Sequence, residues 1–368
     1  MKRFNTTGPC FPDEHYMMPA LDRLPGVREL VSGGNYFVVH APRQTGKTTA
    51  LKALVSEINA KGEMVAIYCT LESIQRLVGS YETAMREIRH LVLKSASMVR
   101  ELATFAREIG DVKSSIGIST AISDALQELC VRAGKPLVLF FDEADCLYGD
   151  VLISFLRQLR DGYVNRDMMP FPKSIALVGM LDVRDYKAQI RSDGQSLGQI
   201  SPFNIIAEDL LIPNFTEADI AALYAQHTAA TGQRFADGVV DDVWRLTRGQ
   251  PWLVNAIAND CVAKIHGNRF DETVTVDDVE AAKEAIIRRR DTHVDSLMER
   301  MREPRVRRIV EPLISGDRSD VSYNDEDYRY IIDLGLLRVD RGALVPANPM
   351  YAEIIGRYLS RGEQDAMI

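Results

Sequence analysis

Patterns typical of zinc sites and disulfide frameworks are missing from the sequence. It contains no C-x-x-C and no H-E-x-x-H, and its five cysteines are widely spaced and odd in number. We therefore expect reduced thiols, as in a cytoplasmic protein. These cysteines are Cys10, Cys69, Cys130, Cys146 and Cys261.

Long apolar runs are missing as well. The first residues, MKRFNTTGPCFPDEHY, have no apolar run after their two basic residues and do not resemble a secretory signal. Apolar runs such as Pro136–Phe141 are far too short to cross a bilayer, so we expect a cytoplasmic location and no membrane partner. The 44 basic and 52 acidic residues give a net charge of −8, which argues against coating nucleic acid through bulk charge.

The order of apolar patterns predicts a parallel α/β domain followed by smaller regions. Strand-like and helical patterns alternate from about residue 35 to 212, as in a parallel sheet with helices on both faces. We expect a core over residues 1–213 with a helical insertion at about 72–134. A helical region follows over 214–302, and the helix and short strand pattern of 303–368 fits a winged helix.

A phosphate-binding loop is predicted at Ala41–Thr49, APRQTGKTT, between the apolar strand Tyr36–His40 and a helix. Backbone N–H groups of such a loop cradle phosphate oxygens, Lys47 reaches the terminal phosphates, and the Thr48 hydroxyl binds Mg²⁺. Ala41 replaces the usual first glycine, which is tolerable if its φ stays negative. The candidate nucleotide-binding residues of this loop are Pro42, Arg43, Gln44, Thr45, Gly46, Lys47, Thr48 and Thr49.

An acidic pair ends the apolar strand in PLVLFFDEAD, Pro136–Asp145. Ligand sites in parallel sheets lie at the carboxyl ends of strands, so Asp142 can hold Mg²⁺ through water. Glu143 can then orient or deprotonate the attacking water. The letters D-E-A-D suggest a helicase, but a helicase of that kind needs a second parallel-sheet domain, and the pattern after residue 213 does not provide one.

Polar residues at the end of a further strand are candidates for sensing the terminal phosphate. In SIALVGMLDVRDYK, Ser174–Lys187, we single out Asp182 and especially Arg184, because an arginine that meets transition-state charge contributes strongly to the rate. Arg160 and Arg191 are weaker candidates. Each of these arginines also has an ordinary structural interpretation.

Several segments in a fixed order carry a family resemblance. These are APRQTGKTT, FFDEAD, the strand ending in VRDYK, SPFNI, LTRGQPWLVNA and the terminal DLGLL…VPANPMY. Together they resemble the AAA-like, archaeal-type AAA+ ATPases over nearly the whole chain. That group is related to the signal-transduction ATPases with numerous domains and, more distantly, to origin-recognition initiators.

The resemblance implies a three-layer P-loop ATPase core with a helical lid and a carboxyl-terminal winged helix. It implies ATP and Mg²⁺ as cofactors, and hydrolysis of ATP to ADP and phosphate. By the same match, the turn Gly249–Pro251 lies in the lid, where Pro251 contacts adenine and carries lid movement. The segment GPCFPDEHYM resembles one that lines the base, which makes Tyr16 a candidate there.

The predicted winged helix has conflicting charge signals for DNA binding. Its candidate recognition helix begins with Asn324 and three acids, which suit a helix N-terminus better than a phosphate backbone. The segment Arg288–Arg308 has eight arginines and four acids, which is either a nucleic-acid footprint or a solvated helix face paired with acids. We favour the paired helix face.

The sequence therefore predicts an ATPase that acts as a nucleotide-controlled conformational switch, engaging a protein partner or a second copy of itself. One alternative is a DNA-acting initiator or transposition-helper ATPase, which DNA-stimulated turnover would support. Another is a regulator that binds nucleotide and hydrolyses almost none, which would retain nucleotide without releasing phosphate.

Overall fold

A computed structural model of the chain describes residues 1–76, 80–111, 117–180, 202–289, 291–314 and 326–365. The chain divides into two compact units. The sheet unit comprises Leu21–Ala41 and Lys47–Ile212, and the helical unit comprises Met1–Ala20, Pro42–Gly46 and Pro213–Ile368. The middle of the phosphate loop is thus grouped with the helical unit.

The sheet unit is built on five parallel strands in the order β2–β3–β4–β1–β5. The strands are β1 (Tyr36–His40), β2 (Val65–Thr70), β3 (Leu137–Asp142), β4 (Ser174–Gly179) and β5 (Ile206–Leu211). Every residue of β3 and β4 is buried, as expected for continuous apolar runs in strands covered on both faces. The predicted parallel α/β class is confirmed.

Helices surround this sheet, and their apolar stripes form its core. They are α1 (Val27–Ser32), α2 (Lys47–Lys61), α3 (Tyr81–Ser97), α4 (Ala103–Asp111), α5 (Ala121–Ala133) and α6 (Gly149–Val164), with short 3-10 turns at Glu72–Arg76, Ala144–Cys146 and Pro202–Ile205. On α5 the side chains of Ile122, Leu126 and Leu129 are fully buried, because residues three and four apart share one helix face.

The helical unit contains eight α-helices and one antiparallel hairpin among its described residues. They are α7 (Glu217–Thr231), α8 (Val239–Thr247), α9 (Pro251–Asn259), α10 (Val276–Arg289), α11 (Thr292–Arg300), α12 (Pro304–Ile314), α13 (Glu326–Asp333), β6 (Leu337–Asp340), β7 (Ala343–Pro346) and α14 (Pro349–Asp365). Thr216 caps α7 through a reciprocal capping box with Asp219, which satisfies two N–H groups that the helix cannot pair itself.

Two details depart from the sequence prediction. Within the helical region predicted over 214–302, the helix that begins at Pro251 ends at Asn259 and continues as a π-helical segment, Asp260–Ile265, which the apolar pattern did not indicate. Helix α14 was not predicted, since the terminal motif was interpreted through its strand-like part. It begins at Pro349, beside the Asn348 side chain that accepts the Tyr351 N–H at 2.9 Å. Among the described residues no helix is long and apolar enough to span a membrane.

Candidate functional site

The loop between β1 and α2 has a backbone suited to anions. The φ angle is +59° at Gln44 and +95° at Gly46, whereas Thr45 between them does not have a positive φ. Such alternation turns successive N–H groups to one side and forms an anion-binding nest. The Thr45 hydroxyl braces the turn by donating to the Pro42 carbonyl at 2.8 Å. Ala41 does not have a positive φ either, so its methyl group adds no backbone strain.

Lys47 begins helix α2 and is buried. Its Nζ donates to the carbonyl oxygen of Ala41, one residue beyond β1, at 2.8 Å. The first N–H groups of α2 lack intrahelical acceptors and form the positive end of the helix dipole. A cation and a helix N-terminus therefore coincide where the sequence predicts phosphate binding.

Asp142 is the last residue of β3 and is 1 % exposed. Its Oδ2 accepts hydrogen bonds from the Thr48 hydroxyl and the Tyr68 hydroxyl, each at 2.8 Å. Its Oδ1 accepts the Glu143 N–H at 3.1 Å. The predicted pair Thr48 and Asp142 is thus brought together within the sheet unit, with Tyr68 from β2 as a third member.

Burial raises the pKa of Tyr68, and the neighbouring Asp142 carboxylate raises it further. The Tyr68 hydroxyl therefore stays protonated and serves Asp142 as a donor. Burial also raises the pKa of the adjacent Cys69 thiol to about 12. That thiol stays protonated, so it is poorly suited to nucleophilic chemistry.

Glu143 lies in the left-handed region, with φ +56°, and is half-buried. It precedes the short 3-10 turn Ala144–Cys146. A non-glycine residue at positive φ is uncommon, and such residues are concentrated at functional sites. The conformation bends the chain out of β3 directly after Asp142.

Asp145 links the end of β3 to the end of β4. Its Oδ2 accepts the Met180 N–H at 3.3 Å, while its Oδ1 is buried without a hydrogen-bond partner among the described residues. Met180 directly follows β4. Asp145 therefore links the turn after β3 to the end of β4, the strand that precedes the predicted phosphate-sensing residues.

The oxygens at this edge fit a magnesium ion. Mg²⁺ prefers oxygen ligands and is usually held by one or two carboxylates together with substrate phosphates and water. The Thr48 hydroxyl and the Asp142 carboxylate supply ligands of that kind at the start of α2. In the described part of the chain, no group of three or more His, Cys, Asp or Glu side chains is placed to hold a metal ion.

The turn Gly249–Pro251 starts α9, with Pro251 as its first residue, a position where proline is favoured. Gly249 has φ +73°, and a Cβ there would lie 1.8 Å from the Phe215 carbonyl oxygen, so only glycine fits. The Gln250 side chain accepts the Leu253 N–H at 2.7 Å and caps the helix. Pro251 itself is buried.

Tyr16 lies in an aromatic cluster of the helical unit. Its ring is 5.0 Å from that of Phe4 and 5.4 Å from that of His227, centroid to centroid. The Tyr16 hydroxyl and His227 Nδ1 are 3.2 Å apart. Burial lowers the pKa of His227 and raises that of Tyr16. The predicted role of Tyr16 at the base stays a prediction.

The arginine candidates are only partly described. Arg184, Asp182 and Arg191 fall in the segment 181–201, outside the described residues. Arg160 donates through Nε to the Asn204 Oδ1 at 3.0 Å.

The basic segment Arg288–Arg308 carries many ion pairs. Among the described residues of the segment, which exclude Arg290, six arginines pair with acids. The pairs are Arg288–Glu284, Arg289–Asp260, Arg300–Glu303, Arg305–Glu303, Arg307–Glu311 and Arg308–Asp327. This agrees with the interpretation as a solvated helix face paired with acids. Partners on the protein leave less of this charge for nucleic-acid phosphates.

The model of a family described as "AAA-like domain" matches residues 16–355. The chain belongs to that family. The resemblance inferred from the sequence motifs is thereby confirmed, and membership implies nucleotide use, usually with Mg²⁺. No curated protein sequence matches the chain significantly.

One solved structure shares the fold of this AAA-like protein, and two others are similar to it at lower scores. A Walker-type ATPase of Pyrococcus abyssi has a TM-score of 0.64 at 14% identity, covering 96% of this chain and 99% of that one. Cdc6p of Pyrobaculum aerophilum has a TM-score of 0.45 at 14% identity, covering 95% and 93%. The ORC1 protein of Aeropyrum pernix, solved with DNA, has a TM-score of 0.41 at 14% identity, covering 95% and 94%.

Sequence reasoning did not identify three residues around the loop and the acidic edge: Tyr68, Asp145 and His293. Tyr68 lies on β2, the neighbour of β3, two positions before Thr70, which pairs in register with Asp142. A polar residue near the carboxyl end of an otherwise apolar strand was the available signal. Asp145 was visible only as a letter of D-E-A-D. His293, from α11, is hydrogen-bonded to Gln44 of the loop, and no motif in the sequence includes it.

Proposed function

We propose that this AAA-like protein binds Mg·ATP, hydrolyses it, and uses the bound nucleotide as a conformational switch. The observation that carries the proposal is the hydrogen bond of 2.8 Å between Thr48, in the first turn of α2, and Asp142, at the end of β3. This bond brings the phosphate loop next to a carboxylate that can hold a metal ion, and hydrolysis of ATP requires both.

In this proposal each residue has one task. The loop Pro42–Thr49 cradles the phosphates through its N–H groups, which begin at Arg43 because proline has none, and Lys47 neutralises the phosphate charge. The Thr48 hydroxyl and, through water, Asp142 hold Mg²⁺, which neutralises charge on the β- and γ-phosphates. Glu143 orients the attacking water and accepts its proton. Arg184 senses the γ-phosphate.

The switch rests on family resemblance and on the order of elements. We propose a core over residues 1–213, a helical lid over 214–302 and a winged helix over 303–368. Pro251 and Tyr16 would contact the base, so that one nucleotide interacts with both the lid and the phosphate loop. A ligand shifts a conformational equilibrium only through different contacts in the two states, and these contacts supply that difference. The output is engagement of a protein partner or a second copy.

Phosphate release by Glu143→Gln tests hydrolysis. The amide cannot accept the water's proton, so turnover should fall on the order of 10²- to 10⁴-fold, while Mg·ATP still binds. Glu63→Gln, an exposed acid on the same unit, is the matched control and should turn over like the parent. Equal rates in the parent and Glu143→Gln would remove Glu143 from catalysis.

The same variant tests the switch. Distance labels at Val131 on α5 and Glu326 on α13, which are both exposed, should report different separations with and without ATP in Glu143→Gln, which retains the nucleotide. An unchanged distance distribution would refute the switch and leave the ATPase assignment standing. Stimulation of the parental rate by duplex DNA would instead support the initiator alternative.

A further inference from the structure

Gln44 has a backbone conformation that its side chain disfavours. Its φ of +59° lies in the left-handed region, which glycine adopts readily and other residues adopt rarely. Together with Gly46 it is one of the two residues whose positive φ angles form the anion-binding nest of the phosphate loop. Some contact must therefore keep this residue in place when the loop is empty.

His293 of α11 provides such a contact. It is buried, and its Nδ1–H donates a short hydrogen bond to the Gln44 Oε1. Its Nε2 accepts the Tyr351 hydroxyl at 2.6 Å. The imidazole also stacks on the Trp252 ring, with centroids 4.7 Å apart and an angle of 19° between the planes. The ring is thus fixed by α9 and α14 and presents one nitrogen to the loop.

The charge state of His293 matches this hydrogen-bond pattern. Burial lowers its pKa to about 4, so the imidazole is neutral near pH 7. A neutral imidazole has one donor and one acceptor nitrogen, and here both are used. Burial also raises the pKa of Tyr351, which keeps its hydroxyl a donor.

Two further contacts hold the same stretch of the loop. The Arg43 Nη1 donates to the Ser296 Oγ at 3.1 Å, one turn along α11 from His293. A Cβ on Gly335 would lie 2.6 Å from the Pro42 ring, so the turn before β6 packs closely on the start of the loop. Residues 42–44 are therefore contacted by two separate parts of the carboxyl-terminal region, α11 and the turn before β6.

We propose that His293 is a positioning residue for the nucleotide site, which through Gln44 holds the phosphate loop in its phosphate-accepting conformation. The position of α11 thereby sets ATP affinity. This inference rests on the proposed function and adds a regulatory contact to it: whatever displaces α11 also relaxes the loop.

The experiment is a double-mutant cycle on ATP affinity, measured by calorimetry with Mg·ATP. His293→Phe keeps an aromatic ring to stack on Trp252 but removes both ring nitrogens. We expect it to weaken ATP binding about five- to tenfold. Gln44→Gly replaces the strained residue with one that adopts positive φ unaided. In the Gln44→Gly background, the same His293→Phe change should alter affinity less than about twofold.

A second readout needs no nucleotide. Amide hydrogen exchange of the peptide containing residues 42–46 should speed up in His293→Phe and return towards the parental rate in the double variant. His266→Phe is the matched control, since it removes another buried histidine of the helical unit, one bonded to Glu272 and Asp278. It should leave ATP affinity unchanged.

Unchanged or tighter ATP binding by His293→Phe would overturn the proposal. An equal loss of affinity in both Gln44 backgrounds would overturn it too, because a general loss of folding would not depend on Gln44. If the parent itself binds no ATP, the proposed function fails instead. Parental binding that is independent of His293 refutes only the positioning role.

Discussion

The helix end and the tip of the phosphate loop are held by hydrogen bonds from different parts of the chain. At its helix end, Lys47 and Thr48 bond to Ala41 and Asp142 within the sheet unit. At its tip, Arg43 and Gln44 bond to α11, 253 and 249 residues further along the chain. The chemistry-bearing end is thus fixed by strands that are part of the core. The tip depends on a separate region, so the two ends can be perturbed separately.

The largest effect should come from the helix end. Lys47→Ala removes the cation facing the phosphates, and a charge-assisted hydrogen bond contributes about 1.5–3 kcal/mol. We expect ATP affinity to fall on the order of 10- to 100-fold, with the helix content of the whole chain unchanged by circular dichroism. Lys135→Ala, an exposed lysine of the same unit, should bind like the parent. Calorimetry showing equal affinities for Lys47→Ala and the parent would refute the loop assignment.

Folding stability should depend on pH through His293, which contacts the tip. Burial holds the His293 pKa at about 4 against 6.5 for a free histidine, so the unfolded chain binds the proton first. As the pH falls from 6.5 to 4, folding stability should decrease by on the order of 3 kcal/mol from this group, and no further below pH 4.

The measurement is urea unfolding at pH 7 and pH 4.5 in the parent and in His293→Phe. The parent should lose more stability between these values than the variant does. His15 and His227, whose pKa values burial also lowers, are present in both proteins and cancel. Identical pH dependence in the two proteins would mean that His293 is not buried in its neutral form.

The smallest effect concerns Tyr68. Tyr68→Phe removes one of two hydroxyl donors to the Asp142 Oδ2, and a typical hydrogen bond contributes about 0.5–1.5 kcal/mol. The concentration of Mg²⁺ needed for half-maximal ATP binding should rise about threefold. Tyr36→Phe, which removes a buried hydroxyl bond to Pro172 at the start of β1, is the control. A rise of the same size in both variants would mean that Tyr68 acts through stability alone.

The contrast between the helix end and the tip of the loop also explains which features the sequence could predict. The strands were predictable because their apolar runs are short and bounded by turns, and the Thr48–Asp142 pair followed from the rule that parallel strands end at one edge. Tyr68 was harder, because only the pairing of β2 with β3 shows that its side chain is near Asp142.

The contacts of Gln44 could not be predicted. They depend on α11 packing against a loop about 250 residues earlier, and periodicity within α11 marks His293 only as a buried position. The φ of Gln44 was similarly hidden, since in this loop the motif places a glutamine where the backbone favours glycine. Family resemblance alone suggested Tyr16, and its buried aromatic surroundings leave that suggestion untested.

The strand order has a consequence for synthesis on the ribosome. Strand β1 pairs with β4 and β5, and both of these strands are synthesised after it. The backbone edges of β1 stay unpaired until Ile175 and Ile206, which pair in register with Tyr36, have been made. At about 5–20 residues per second, the apolar segment Tyr36–His40 stays without its strand neighbours for roughly 7 to 30 seconds. During that interval it is an uncovered β-forming segment. Slow translation between β1 and β4 should therefore increase aggregation of the nascent chain, and chaperone binding should concentrate on this segment.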